Sequence, residues 1–210
     1  MNTDRSLPRR TAAVAATAVA ALVLAACGSN GDSPTGHDGH TSKSPTASAS
    51  ASRGQHNAAD VAFAQGMIPH HRQAVEMADL APSRAQSEQV KKLAEQIKKA
   101  QEPEIKTLTS WLTSWNEEVP AEDAMDHSMH GNGMHGMMGT EEMDKLRKSS
   151  GKAFDTAFLE MMIKHHQGAV AMAETEQTDG AYQPAKDMAD AIVTSQSAEI
   201  TQMNKLLGKD

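Results

Sequence analysis

The chain repeats itself at a constant distance of 95 residues, and this duplication restricts it to folds assembled from two copies of one unit. Residues 60–78, DVAFAQGMIPHHRQAVEMA, align with residues 155–173, DTAFLEMMIKHHQGAVAMA, and 11 of the 19 positions are identical. Without a gap, the same offset carries Gln101, Glu104 and Ile105 onto Gln196, Glu199 and Ile200. It also pairs Lys91, Ala94 and Ile97 with Lys186, Ala189 and Ile192.

Each copy reads as two helices. Asn57 is a capping residue for the first, with Asp60 favourable in its first turn. In the second helix Leu93, Ile97, Leu108 and Trp111 recur at helical spacing, and Pro82 is expected to open it. Pro184 is expected to open the last helix, whose stripe is Met188, Ile192, Ile200, Met203 and Leu207. A hairpin of two helices cannot bury its apolar face alone, so the prediction is an all-α, ferritin-like four-helix bundle from two duplicated hairpins. Pro69 and Pro103 fall inside helices of the first copy and are expected to kink or interrupt them, since an interior proline costs about 3 kcal/mol. The first hairpin is placed at 57–118 and a loop at 119–139. A short helix capped by Thr140 and broken at Gly151 then precedes the second hairpin, within 140–210, and residues 57–210 form one domain.

The residues before the repeat have a different character. Arg5, Arg9 and Arg10 precede an uncharged run from Thr11 to Ala26, too short to span a bilayer comfortably, which reads as a signal peptide over 1–26. The run ends Leu24-Ala25-Ala26-Cys27, which resembles the bacterial lipobox; Cys27 is then the lipidated first residue of an exported protein anchored to the outer face of the cell membrane. Residues 27–56 are rich in Ser, Ala, Thr, Gly and Pro and read as a disordered, flexible tether, with His37 and His40 as solvated tail residues. The formal charge is −7, and removing a leader of net +2 leaves about −9, which excludes a general attraction for nucleic acid.

Cys27 is the only cysteine, so once it is lipidated no thiol is left to hold a metal. Yet the chain holds 14 Met and 10 His. At about 100° per residue, Met67, His70, His71 and Met77 share one helix face with Phe63 and Ala74, and Met162, His165, His166 and Met172 repeat the arrangement. Methionines at helical spacing are ordinarily core filler, and a histidine paired with a glutamate is often only a structural hydrogen bond. Between the copies, Met125, His127, Met129, His130, Met134, His135, Met137 and Met138 crowd into 14 residues with no apolar period, and nothing about a linker calls for methionine. Thioether and imidazole together suit Cu(I) or Ag(I), and imidazole also suits Cu(II).

Glu104 and Glu199 lie inside the apolar stripes of the second helices, where a carboxylate is costly unless paired. The simplest partners are the histidines across each hairpin, with Gln101 and Gln196 adding amide hydrogen bonds, so that the carboxylates stand behind metal-binding imidazoles. The zinc-hydrolase motif His-Glu-x-x-His is absent. Glu160 lies five residues before His165, and Glu76 is replaced by Ala171 in the second copy, which argues against a di-iron centre.

The motif Met-Ile-x-His-His-x-x-Ala-Val-x-Met-Ala followed by Gln-x-x-Glu-Ile resembles the domain-of-unknown-function 305 family over residues 57–208. The resemblance implies a ferritin-like four-helix bundle in exported bacterial proteins, some of which bind copper. It carries the family's histidine pairs onto His70-His71 and His165-His166, and its methionines onto Met67, Met77, Met162 and Met172. Lys164 departs from the family's Met-Ile-Pro-His-His. The expectation is a lipid-anchored copper-binding protein serving buffering, trafficking or tolerance, with a copper-handling partner protein as a candidate. Two other readings stay open: a metal-dependent redox or hydrolytic enzyme with a site in the bundle, and a structural or partner-binding envelope lipoprotein.

Overall fold

The structure, a computed structural model, describes residues 55–121 and 136–209. The proposed leader, Cys27 and nearly all of the tether lie outside the described residues, as do Met125, His127, Met129, His130, Met134 and His135 of the loop. Five helices follow in order: α1 (Ala58–Arg84), α2 (Glu88–Trp115), α3 (Thr140–Lys148), α4 (Gly151–Asp179) and α5 (Gln183–Leu206). The helix pair α1–α2 forms one hairpin and α4–α5 the other, and they join through α1 against α4 to make the four-helix bundle. Among the described residues no helix is long and apolar enough to cross a membrane.

Asn57 caps α1 as its chemistry dictates. Its side-chain oxygen accepts from the N–H groups of Ala59 (2.8 Å) and Asp60 (3.1 Å), and the Asp60 carboxylate accepts from the Asn57 N–H (2.6 Å). Neither Pro69 nor Pro103 interrupts its helix, and Pro82 does not open α2 but lies in the last turns of α1. The buried stripe Ala74, Met77, Ala78, Ala81 and Ala85 continues past Pro82, and this packing outweighs the lost backbone hydrogen bond. Ser87 caps α2 instead, its hydroxyl accepting from the Val90 N–H. Pro184 does stand in the first turn of α5.

Two boundaries shift by a residue or two. Gly139, not Thr140, occupies the cap position of α3, and its N–H donates to the Glu142 carboxylate at 2.9 Å. Gly151, at φ +63°, opens α4, and the break after α3 falls at Ser149 and Ser150.

The duplication is visible in how the halves lock. Asp155 on α4 accepts from the N–H groups of Gln86 (3.1 Å) and Ser87 (2.9 Å), in the turn of the first hairpin. Its counterpart Asp60 on α1 accepts from the N–H groups of Ala181 (3.1 Å) and Tyr182 (2.9 Å), in the turn of the second. Each copy thus supplies the carboxylate that satisfies the other's turn. At one end of the bundle His56 stacks on Trp115 with ring centroids 4.4 Å apart, and Trp111 and Tyr182 complete the aromatic group.

Candidate metal centre

The histidine doublets point inward because each sits on the helix face shared with Ala74 or Ala169, both fully buried, and that face meets the opposite hairpin. All four imidazoles are 0 % exposed. His70 on α1 and its counterpart His165 on α4 stand face to face, with ring centroids 3.7 Å apart at an interplanar angle of 37°. His71 lies 6.5 Å from His70, and His166 lies 6.4 Å from His165, centroid to centroid. At each end a carboxylate closes the row: His71 Nε2 is 2.7 Å from Glu104 Oε2, and His166 Nε2 is 2.6 Å from Glu199 Oε2. The pairing expected across each hairpin is therefore present in both copies, and a row Glu–His–His–His–His–Glu runs through the bundle from α2 to α5.

Burial acts on His165, in the middle of this row. The His165 imidazolium is disfavoured first by desolvation and then by the neighbouring rings of His70, His166 and His71, which hold its pKa well below the usual histidine range. Neutral imidazole is the form that ligates metal. A ring that donates Nε2–H to a carboxylate keeps a bare lone pair at Nδ1. Nδ1 of His71 and of His166 is buried without a hydrogen-bond partner. Carboxylate-held imidazoles with free lone pairs in a dry interior are a donor arrangement that suits copper.

The methionines sort in a way the helical wheel does not show. Met77 and Met162, from different copies, fall in one apolar cluster together with Met138, Met143 and Met203. Met67 falls in the other cluster, against which Met172 packs. Methionines of the two copies thus share each cluster, whereas the sequence groups Met67 with Met77. Met67, Met77 and Met162 are fully buried; Met172 is only partly buried. Gln101 and Gln196 are buried, but their amide oxygens meet no donor, so the expected amide hydrogen bonds to the histidine row are not made through them. Among the described residues no three of His, Cys, Asp and Glu are placed to hold an ion by themselves.

The end of the Met/His-rich segment is part of the bundle. Gln73, two residues after His71, donates through Nε2 to the Met138 carbonyl (2.9 Å) and accepts from the Met138 N–H through Oε1 (2.7 Å). Gly136 has φ +82° and lies so close to α4 that an added Cβ would sit 2.5 Å from the Lys164 carbonyl oxygen and 3.1 Å from the Gly168 backbone. Met138 is 1 % exposed and belongs to the core rather than to a solvent loop, because these contacts bolt the segment between the two histidine-bearing helices. Met137 is partly buried beside it.

Sequence reasoning missed a second buried acid. Glu176 is 1 % exposed, and burial first, then its hydrogen bond and charge repulsion with Asp60, push its pKa up to about 8. Burial alone would raise Asp60 too, but the hydrogen bonds it accepts from Glu176, Asn57, Tyr182 and Ala181 outweigh that and hold its carboxyl below the usual range. The available signal was the alignment, since Glu176 stands where the first copy has the buried Ala81.

The sequence model of the family described as "Domain of unknown function (DUF305)" matches residues 60–207. No curated protein matches the chain. Among solved structures, a DUF305 protein from Streptomyces coelicolor is 34 % identical with a TM-score of 0.65, covering 72 % of this chain and 93 % of its own. CopM in the Cu(II)-bound form is 38 % identical with a TM-score of 0.61, covering 70 % of this chain and 94 % of its own. CopM in the Cu(I)-bound form is 35 % identical with a TM-score of 0.58 over the same shares. CopM also has a silver-bound form, obtained by soaking, at 34 % identity and a TM-score of 0.57, covering 70 % of this chain and 93 % of its own.

Proposed function

The chain belongs to the domain-of-unknown-function 305 family, and from that premise we propose that it binds copper, as Cu(I) with Ag(I) as a mimic, for buffering, trafficking or tolerance. The observation that carries this reading is the row of four buried imidazoles, closed at both ends by carboxylates. Nothing in a core of this size needs four desolvated rings in a row, and the partnerless Nδ1 atoms of His71 and His166 are costly in a dry interior. A cation bound there would recover that cost. His71, His166 and His165 supply the nitrogen donors, and Met77, Met162 and Met138 or Met67 and Met172 supply the sulfur. The copper- and silver-bound forms of CopM support the choice of metal.

Export and lipid anchoring at Cys27 belong to the same proposal and rest on the sequence of residues 1–27. Outside the membrane no thiol competes, which is where a Met/His donor set is useful. The testing experiment is a titration of the chain with Cu(I) against bathocuproine disulfonate, alongside a variant with His71→Ala and His166→Ala. The expected result is loss of the tighter copper equivalents in the variant with no loss of helix by circular dichroism. Equal affinity in the two proteins would remove the histidine row from the function.

A further inference from the structure

Of the eight donors supplied by the duplicated motifs, seven are fully buried and Met172 alone reaches the surface. It stands in the wall of an open groove of about 260 Å³ between the start of α1 and the end of α4, with Ala59, Phe63 and Glu176 among its neighbours. The 95-residue offset generates a twin of this groove on the other side of the bundle, with Phe154, Phe158, Met77 and Ala81 at the matching positions. The twin is covered: Met138, Met143 and Leu146 pack there in one cluster with Met77 and the two phenylalanines, and Arg147 of α3 pairs with Glu76 on α1. The open groove has Ala171 in place of Glu76 and so has no such anchor. The duplicated bundle is therefore sealed on one side and open on the other.

We propose that Met172 is the entry ligand of the bundle, the thioether at which a soft monovalent cation, Cu(I) or Ag(I), first meets the fold on its way to the buried imidazoles. The inference rests on the copper-binding reading above. Its geometry is specific. Met172 Sδ lies 3.5 Å from where a Cβ on Gly66 would stand, so the sulfur rests against this stretch of α1, where a longer side chain would crowd it. Gly66 adjoins the buried Met67, and His70 is one turn further along the same helix. At the matching position the second copy carries the bulk of Met161. The other partly exposed members of the site, Glu104 and Glu199, are hard oxygen donors already engaged by imidazole, whereas a neutral thioether selects soft ions and hands them to the next thioether without releasing a proton.

The test is the rate of Cu(I) transfer from its bathocuproine disulfonate complex, followed by loss of the complex's colour in stopped flow. The parent is the full chain with Met125, His127, Met129, His130, Met134 and His135 changed to Ser, so that the bundle alone is read. Met172→Leu keeps the volume and removes the sulfur, Gly66→Met restores the bulk of the second copy, and Glu76→Gln loosens α3 on the sealed side. The expected result is uptake at least tenfold slower for Met172→Leu and Gly66→Met, with as many ions bound at equilibrium in Gly66→Met as in the parent, and an unchanged rate for Glu76→Gln. An unchanged rate in Met172→Leu overturns the proposal, whether or not fewer ions are bound at equilibrium. Faster uptake in Glu76→Gln with no effect of Met172→Leu makes the sealed side the route and overturns it equally. A parent that takes up no Cu(I) overturns the reading of the histidine row as a copper site and this inference with it.

Discussion

Glu104 and Glu199 each sit against one imidazole of the histidine row through its Nε2, which orients the ring and leaves Nδ1 directed away from the carboxylate. Glu104→Gln and Glu199→Gln keep the shape and remove the charge, and Cu(I) affinity is expected to fall about 10- to 100-fold in chelator competition; unchanged affinity would mean that the pairs serve the fold alone. Glu176 makes a separate prediction, about stability. Its pKa is about 8 in the folded chain against an ordinary 4.5, so the native state binds this proton more tightly than the unfolded state. Its contribution is complete below about pH 4.5 and is lost as the pH rises toward 8. Glu176→Gln retains a donor for Asp60 and has nothing to ionise. Urea melts are expected to show the variant losing less stability than the parent between pH 5 and pH 8, and parallel pH profiles would contradict this. At this scale the sequence was legible where a residue violated its surroundings: Glu104 and Glu199 stand out as acids inside apolar stripes. Glu176 breaks no local pattern and is exposed only by comparison with Ala81.

Helices α1 and α4 do the positioning, and the segment between the hairpins is tied to both. Gln73 satisfies both backbone groups of Met138 in a buried setting, so Gln73→Ala leaves an N–H and a C=O without partners. The expected cost is about 2 kcal/mol or more in urea unfolding, with faster hydrogen exchange at the Met138 amide. Gly136→Ala brings a methyl group against the Lys164 carbonyl at a positive φ and is expected to cost about 1–3 kcal/mol. A melt unchanged in Gly136→Ala would show that the segment does not need to lie so close to α4. Helix type and spacing were readable from periodicity. Pro82 was misleading because a proline reports only on its own backbone, while the buried alanines beside it decide whether the helix continues.

In the whole molecule the two hairpins are held by reciprocal bonds, Asp60 to the turn at Ala181 and Tyr182, and Asp155 to the turn at Gln86 and Ser87. Neither hairpin alone satisfies its own turn or covers its histidine face. A chain ending at residue 121 is therefore expected to lack a cooperative thermal transition, and a cooperative melt of that fragment would contradict the interdependence. From its sequence alone, the protein was determined to be a duplicated helical bundle with histidine and methionine on its inward faces, because helical periodicity and a 95-residue offset are properties of order along a chain. Packing in three dimensions set His70 against His165, put Met77 in one cluster with Met162, drew Met138 into the core, and left one of two equivalent grooves open. A helical wheel specifies which face a side chain occupies but not what stands opposite, and that is settled by the packing of one copy against the other.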